Sequence, residues 1–335
     1  MTVSEVRQLE LPTNQRPWRS TPLIESVALS KAAGCRVFLK LENLQPSGSF
    51  KSRGIGNYMT RHLLSHPSPS TVHFYSSSGG NAGLACIHAA NTLHRPSTIV
   101  VPLSTKPLMI AKLRAAGAHA VLQTGATWAD ADRHLRSELL RDNPAGVYVP
   151  PFDHPDVWAG NSTLVGEVAA QLEAEGVREG VPAAVVCSVG GGGLLNGICE
   201  GVEAKGWFGR GATVVAVETR GAESLNRSVE SGELVTLEGI TSMATSLGAT
   251  RRGGQVGGAG DGEAAMGCLR LADEERLLVE LACGVSAALC FGGRLESAMG
   301  RKVGSEEAVV IVVCGGSNVT VEMLAQWRRE FGHVE

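Results

Sequence analysis

Four runs of small and polar residues have the composition for binding a charged ligand and doing chemistry on it. The first is Pro46-Ser47-Gly48-Ser49-Phe50-Lys51-Ser52-Arg53-Gly54. A lysine at the mouth of a helix can form a Schiff base with an aldehyde cofactor when its neutral amine is accessible. An isolated G-S-F-K is more often a solvated lysine after a turn. The second is Ser76-Ser77-Ser78-Gly79-Gly80-Asn81. Small residues before a helix let backbone N–H groups converge on a carboxylate, and Asn81 can donate to a phenolate-like oxygen. Simple helix capping by Ser and Asn explains that run about equally well. The third, Ser188-Val189-Gly190-Gly191-Gly192-Gly193-Leu194, is the strongest single signal. Four consecutive glycines cost chain entropy, and a nest of backbone donors for a phosphate justifies them. The fourth is Cys314-Gly315-Gly316-Ser317-Asn318. Cys314 ends an apolar run, where it can face a ring nitrogen or be an inert core thiol.

Short β-branched runs alternating with helical stretches position these turns. Strands are expected at 36–41, 72–75, 97–101, 120–123, 146–149, 183–189, 213–218 and 307–314. Helices are expected at 51–64, 81–93, 106–116, 128–141, 156–176, 194–204 and 319–328. This alternation predicts an α/β fold of parallel sheets covered by helices on both faces. Ligands in such folds sit at the carboxyl ends of the strands, where all four turns can lie. One stretch breaks the pattern: 248–267 is Gly-rich and aperiodic, and reads as a flexible loop.

The 335 residues exceed the size at which one core usually stops growing, so two lobes are expected. The Pro150-Pro151 pair is a plausible crossing point between them. With 30 Lys and Arg against 33 Asp and Glu, and no basic stripe, neither nucleic acid nor a membrane surface is an expected partner. The longest apolar run is too short to span a bilayer, and no export signal is seen. The eight cysteines form no C-x-x-C pair, and the nine histidines show no zinc spacing. Scattered thiols without an export signal fit a reduced, cytoplasmic protein. A dinucleotide-binding oxidoreductase is the main competing class, since Glu218 lies 25 residues beyond Gly193, like a ribose-binding acid. The glycines do not fit G-x-G-x-x-G, however, and that class leaves Lys51 and the 77–81 run unexplained.

Taken together, PSGSFKSRG (46–54), SSGGN (77–81), YVPPFD (148–153), SVGGGGLLNG (188–197), VVAVETRGA (214–222), ITSMATSLG (240–248), LVELACG (278–284) and VVCGGSN (312–318) resemble the fold-type II pyridoxal-phosphate enzymes. The resemblance is to their L-serine/L-threonine dehydratases, in the serine dehydratase and serine dehydratase-like branch, and it covers nearly the whole chain. It implies a two-lobed, tryptophan synthase β-like architecture: a large cofactor-binding domain of 1–45 and 153–335, a small domain of 46–152, and a homodimer. Lys51 would carry pyridoxal 5′-phosphate covalently and act as the base at Cα. Phe50 would stack near the ring, and Asn81 would bond its 3′-oxygen. Gly190, Gly191, Gly192, Gly193 and Leu194 would cradle the phosphate, and Cys314 would meet the pyridine nitrogen. Ser77, Ser78, Gly79, Gly80 and Asn81 would bind the amino acid's carboxylate. Glu218, Ala222, Leu247 and Ala249 would hold a monovalent cation, K+ among the candidates. The implied reaction converts serine to pyruvate and ammonia by β-elimination, and threonine to 2-oxobutanoate. In that mechanism serine displaces Lys51 from the cofactor, Lys51 takes the Cα proton, and the cofactor phosphate protonates the departing hydroxyl. β-Replacement, racemisation and a catalytically impaired relative share the same scaffold.

Three departures from the pattern are visible. Gly79 stands where the family often has alanine, leaving more room beside the carboxylate. Leu281 replaces a usual proline. The segment 249–270 lacks a recognisable strand and helix that the family has there, which predicts a weakened cation site or lower stability.

Overall fold

In the computed structural model, residues 15–247, 251, 252 and 256–334 are described. In chain order the strands are β1 (Leu23–Glu25), β2 (Arg36–Lys40), β3 (His73–Ser76), β4 (Ser97–Val101), β5 (Ala120–Gln123), β6 (Gly146–Tyr148), β7 (Ala184–Ser188), β8 (Thr213–Thr219), β9 (Val235–Thr236), β10 (Arg251–Arg252), β11 (Val256–Ala259) and β12 (Ala308–Val312). The chain divides into two compact units. Of the described residues, one unit takes in 15–19 together with 45–161, the other those within 20–44 and 162–334. The bounds expected from the sequence lay at 45/46 and 152/153. The long helix Pro155–Ala174 runs from the first unit into the second.

The smaller unit is built on a four-stranded parallel sheet of order β5-β4-β3-β6. β4 is buried at every position, as expected for a strand covered on both faces. The helices Lys51–Ser65 and Asn81–Thr92 supply Ile55, Met59, Ala85, Ile87 and Ala89 to its core, all fully buried. Close helix packing there depends on Gly54, where an added Cβ would lie 2.7 Å from Val157 Cγ1.

The larger unit holds a six-stranded sheet of order β1-β2-β12-β7-β8-β11, parallel except for β1. β7 and β12, at its centre, are buried throughout. Its buried lysine is satisfied rather than stranded. Lys40 Nζ donates to Thr21 O and Glu167 Oε2 at 2.7 Å, and to Gln171 Oε1 at 2.8 Å.

The structure corrects the reading of 248–267 as a flexible loop without strand or helix. β11 pairs in parallel with β8, Val256 opposite Ala216 through Ala259 opposite Thr219. The helix Asp261–Glu275 follows directly. Its glycine serves close packing. A Cβ on Gly267 would collide with the carbonyl of Gly284, and a Cβ on Gly284 with Cys268 and the carbonyl of Ala264. Glycine at this crossing therefore lets the helices Asp261–Glu275 and Leu281–Ala287 approach backbone to backbone. The helices Val27–Ala33, Ser224–Ser231 and Arg294–Met299 also have no counterpart in the sequence reading.

Candidate active site

In the smaller unit, Lys51 is the first residue of its helix. Its Nζ donates to Pro151 O at 2.5 Å. The rings of Phe50 and Phe152 lie 5.2 and 5.6 Å from that nitrogen. An amine near two aromatic rings and hydrogen-bonded to a backbone carbonyl is positioned rather than freely solvated. Pro151 and Phe152 belong to the 148–153 run, which thus supplies the lysine's local surroundings.

The 77–80 run joins β3 to the helix Asn81–Thr92. Its N–H groups open a twelve-residue helix whose dipole favours an anion. Gly80 N donates to Ser78 Oγ at 3.3 Å. The Ser77 hydroxyl donates to Asp132 Oδ1 at 2.7 Å, and Tyr148 OH donates to the same oxygen at 2.8 Å. Arg136 Nε holds Asp132 Oδ2 at 2.8 Å, and its guanidinium stacks on the Tyr148 ring at 3.8 Å. Sequence reasoning missed this Asp132–Tyr148–Arg136 clamp, since nothing in the spacing links 77 with 132. Gly83 was also missed: a Cβ there would collide with the Ser78 carbonyl. At Gly79 an added Cβ would fit tightly, 3.1 Å from Val101 Cγ1 and 3.2 Å from Thr105 Cγ2.

In the larger unit, the four-glycine turn joins β7 to the helix Gly193–Ala204. Gly192 takes a left-handed conformation with φ 74°, which explains a glycine there. Gly190 is close to Leu247: an added Cβ would lie 3.0 Å from Leu247 Cα and 3.1 Å from Ser246 O. Leu194 is buried behind the turn.

Cys314 follows β12 and is buried. Ser188 Oγ donates to its sulfur at 3.5 Å. A hydrogen bond with Cys283 and burial together push the Cys314 thiol well above its ordinary pKa, so it stays neutral. Gly315 and Gly316 have φ of 81° and 131°, and a Cβ on Gly316 would run into the Glu280 carboxylate. That carboxylate accepts from Asn318 N at 2.7 Å and from the Ser246 hydroxyl. Glu280 thereby ties the 314–318 turn to the segment leading into Leu247.

Glu218, in β8, is buried, and its two oxygens accept from Leu225 N at 3.0 Å and Asn226 N at 2.9 Å. Burial raises its pKa to about 7 in spite of those donors. Ala222 and Leu247 are buried in the same unit. Ala249 lies outside the described residues.

The residues present fit pyridoxal phosphate. A lysine amine is held beside two rings. The glycine turn has no room for side chains at Gly190. The thiol is neutral, as suits an unprotonated pyridine nitrogen. In addition, the hydroxyls of Ser49 and Ser76, in the lysine and carboxylate loops, are buried without a hydrogen-bond partner among the described residues.

Residues 15–315 match the family model of pyridoxal-phosphate dependent enzymes. The chain is 41% identical over 327 residues to the human protein "Serine dehydratase-like", covering 94% of this chain and 95% of that one. It is 40% identical to an L-serine dehydratase of Saccharomyces cerevisiae, over 91% of this chain and 95% of the relative. The crystal structure of a fungal L-serine ammonia-lyase from Rhizomucor miehei superposes with a TM-score of 0.84 at 34% identity, covering 94% of this chain and 99% of that one. The chain belongs to the fold-type II pyridoxal-phosphate dependent enzymes, and within them to the serine dehydratase family.

Proposed function

We propose that this enzyme is an L-serine ammonia-lyase that also accepts L-threonine. The observation that carries the reading is Lys51 Nζ, held by the Pro151 carbonyl at 2.5 Å near two phenyl rings. Pyridoxal phosphate, when bound, supplies an electron sink that acidifies the substrate's Cα–H. Lys51 would hold the cofactor, and its amine would take the proton from the substrate's Cα. Asn81 and Phe50 would orient the ring, and Cys314 would face its nitrogen as a neutral partner. The backbone donors of Gly190, Gly191, Gly192 and Gly193 cradle the phosphate, with Leu194 beneath them. The N–H groups of Ser78, Gly79, Gly80 and Asn81 hold the substrate carboxylate. The Ser77 hydroxyl is engaged by Asp132 and shapes this loop from behind.

A monovalent cation, K+ in our reading, would be held by Glu218 with the carbonyls of Ala222, Leu247 and Ala249. A buried carboxylate with its pKa near 7 lacks a compensating charge that such an ion supplies. The larger unit, residues 20–44 and 162–335, is the phosphate- and cation-binding domain. Family resemblance supports a homodimer, and eight free cysteines suit a reducing cytoplasm. No helix among the described residues is long and apolar enough to cross a membrane.

The holoenzyme with L-serine and K+, and no added thiol, is expected to release pyruvate and ammonia in equal amounts. Product formation only with an added thiol would assign β-replacement instead. D-serine without pyruvate would assign racemisation.

A further inference from the structure

We propose that His62, His154 and Asp156 form a binding site for a divalent transition-metal ion of the zinc class, separate from the cofactor and K+ sites. Their ligand atoms all lie within 4.8 Å of one another. Two imidazoles and one carboxylate suit Zn2+ and its neighbours, with a fourth position left for water. His62 lies in the Lys51–Ser65 helix, His154 just precedes the helix Pro155–Ala174, and Asp156 is in that helix's first turn.

The His154–Asp156 pair needs little adjustment. His154 Nδ1 and Asp156 Oδ2 are 3.7 Å apart. With metal–ligand bonds of about 2.1 Å, one ion can bridge them at an angle of about 120°. The contact it displaces is modest: Asp156 N donates to His154 Nδ1 at 3.1 Å. The other Asp156 oxygen is fixed by Arg61 Nη1 at 2.6 Å, which aims Oδ2 inward but, being cationic, weakens affinity. The His62 ring is half-buried. No hydrogen bond to that ring is made among the described residues; it rests on Tyr58, ring centroids 4.2 Å apart. Tyr58 also meets His154 edge-on at 4.8 Å and is pinned by its OH donating to Tyr148 O at 2.8 Å. It forms a rigid wall between the two ligands.

The ion's position gives it a consequence. His154 is three residues from Pro151, whose carbonyl holds Lys51 Nζ. An ion at this site fastens the 151–156 segment to the helix that carries Lys51. The proposal does not depend on which reaction Lys51 serves.

The test is a Co2+ titration of the full-length holoenzyme, followed in the d–d region beyond the cofactor's own absorption. One equivalent with nitrogen/oxygen-type bands is expected. His62→Gln and His154→Gln should each abolish them while leaving the cofactor band unchanged. In the unaltered protein, one equivalent of Zn2+ should shield His62 and His154 from carbethoxylation, mapped by peptide mass; this readout does not depend on the variants folding. Absence of Co2+ binding, unchanged binding in both variants, unshielded histidines, or a thiolate-to-cobalt charge-transfer band marking a cysteine site would each overturn the proposal.

Discussion

Asp132 carries a negative charge into the neighbourhood of a loop assigned to a carboxylate, and Arg136 explains how that is tolerated. Its guanidinium takes one oxygen, while Ser77 and Tyr148 share the other. Replacing Asp132 with alanine leaves the Ser77 and Tyr148 hydroxyls unpaired and the loop less ordered. A hydrogen bond of about 1 kcal/mol net corresponds to roughly fivefold in affinity. Asp132→Ala is therefore expected to raise KM for serine about five- to tenfold with a smaller change in kcat, measured by steady-state pyruvate release. An unchanged KM would show the clamp to be ornamental. Lys51, the four-glycine turn and Cys314 stand out in the sequence because each is a residue type with special chemistry set in an unusual run. Asp132, Tyr148 and Glu280 do not, because their roles arise from partners distant in the chain. The same holds for His62 and His154, which look scattered until the helices are packed.

At the scale of elements, local pattern served best where strands are β-branched and buried, as in β4, β7 and β12. It failed for β11, a four-residue Val-Gly-Gly-Ala edge strand whose formation depends on pairing with β8. It failed again for the helix Asp261–Glu275, whose glycines imitate a loop signal. Two effects compete at Gly267. Alanine has the better helix propensity, by about 1 kcal/mol. Against that, its methyl would strike the Gly284 carbonyl, and overpacking typically costs about 1–3 kcal/mol. The clash is with backbone, which cannot step aside cheaply, so Gly267→Ala is expected to lower stability by about 1–3 kcal/mol in thermal or denaturant unfolding. A stabilised variant would mean the two helices are not in close contact. With β11 and this helix in place, the expectation of low stability from a missing strand and helix loses its basis.

For the molecule as a whole, Glu218 links protonation to stability and, in the proposed site, to a cation. Its pKa is raised from 4.5 to about 7 in the fold, so the native state holds more protons than the unfolded chain between those values. Its contribution to stability therefore falls as pH rises from about 4.5 through about 7. A cation that binds only the ionised carboxylate opposes this loss above pH 7 and has little to offer at lower pH. The Tm gained on replacing a large organic cation with K+ is expected to be greater at pH 8 than at pH 6, and to vanish in Glu218→Gln. An equal gain at both pH values, or one retained in the variant, would place the ion elsewhere. Length alone raises the expectation of two lobes, with bounds expected near 45 and 152; the described residues divide at 19/20, 44/45 and 161/162.

The most direct test of the central claim is the visible spectrum of the purified protein with pyridoxal phosphate, set beside that of Lys51→Ala and followed by addition of L-serine. Covalent attachment at Lys51 predicts a band of lysine-bound cofactor in the native protein that is absent in the variant, and pyruvate from the native protein alone. The same band in a well-folded Lys51→Ala protein, or none in the native one, would contradict the assignment of Lys51.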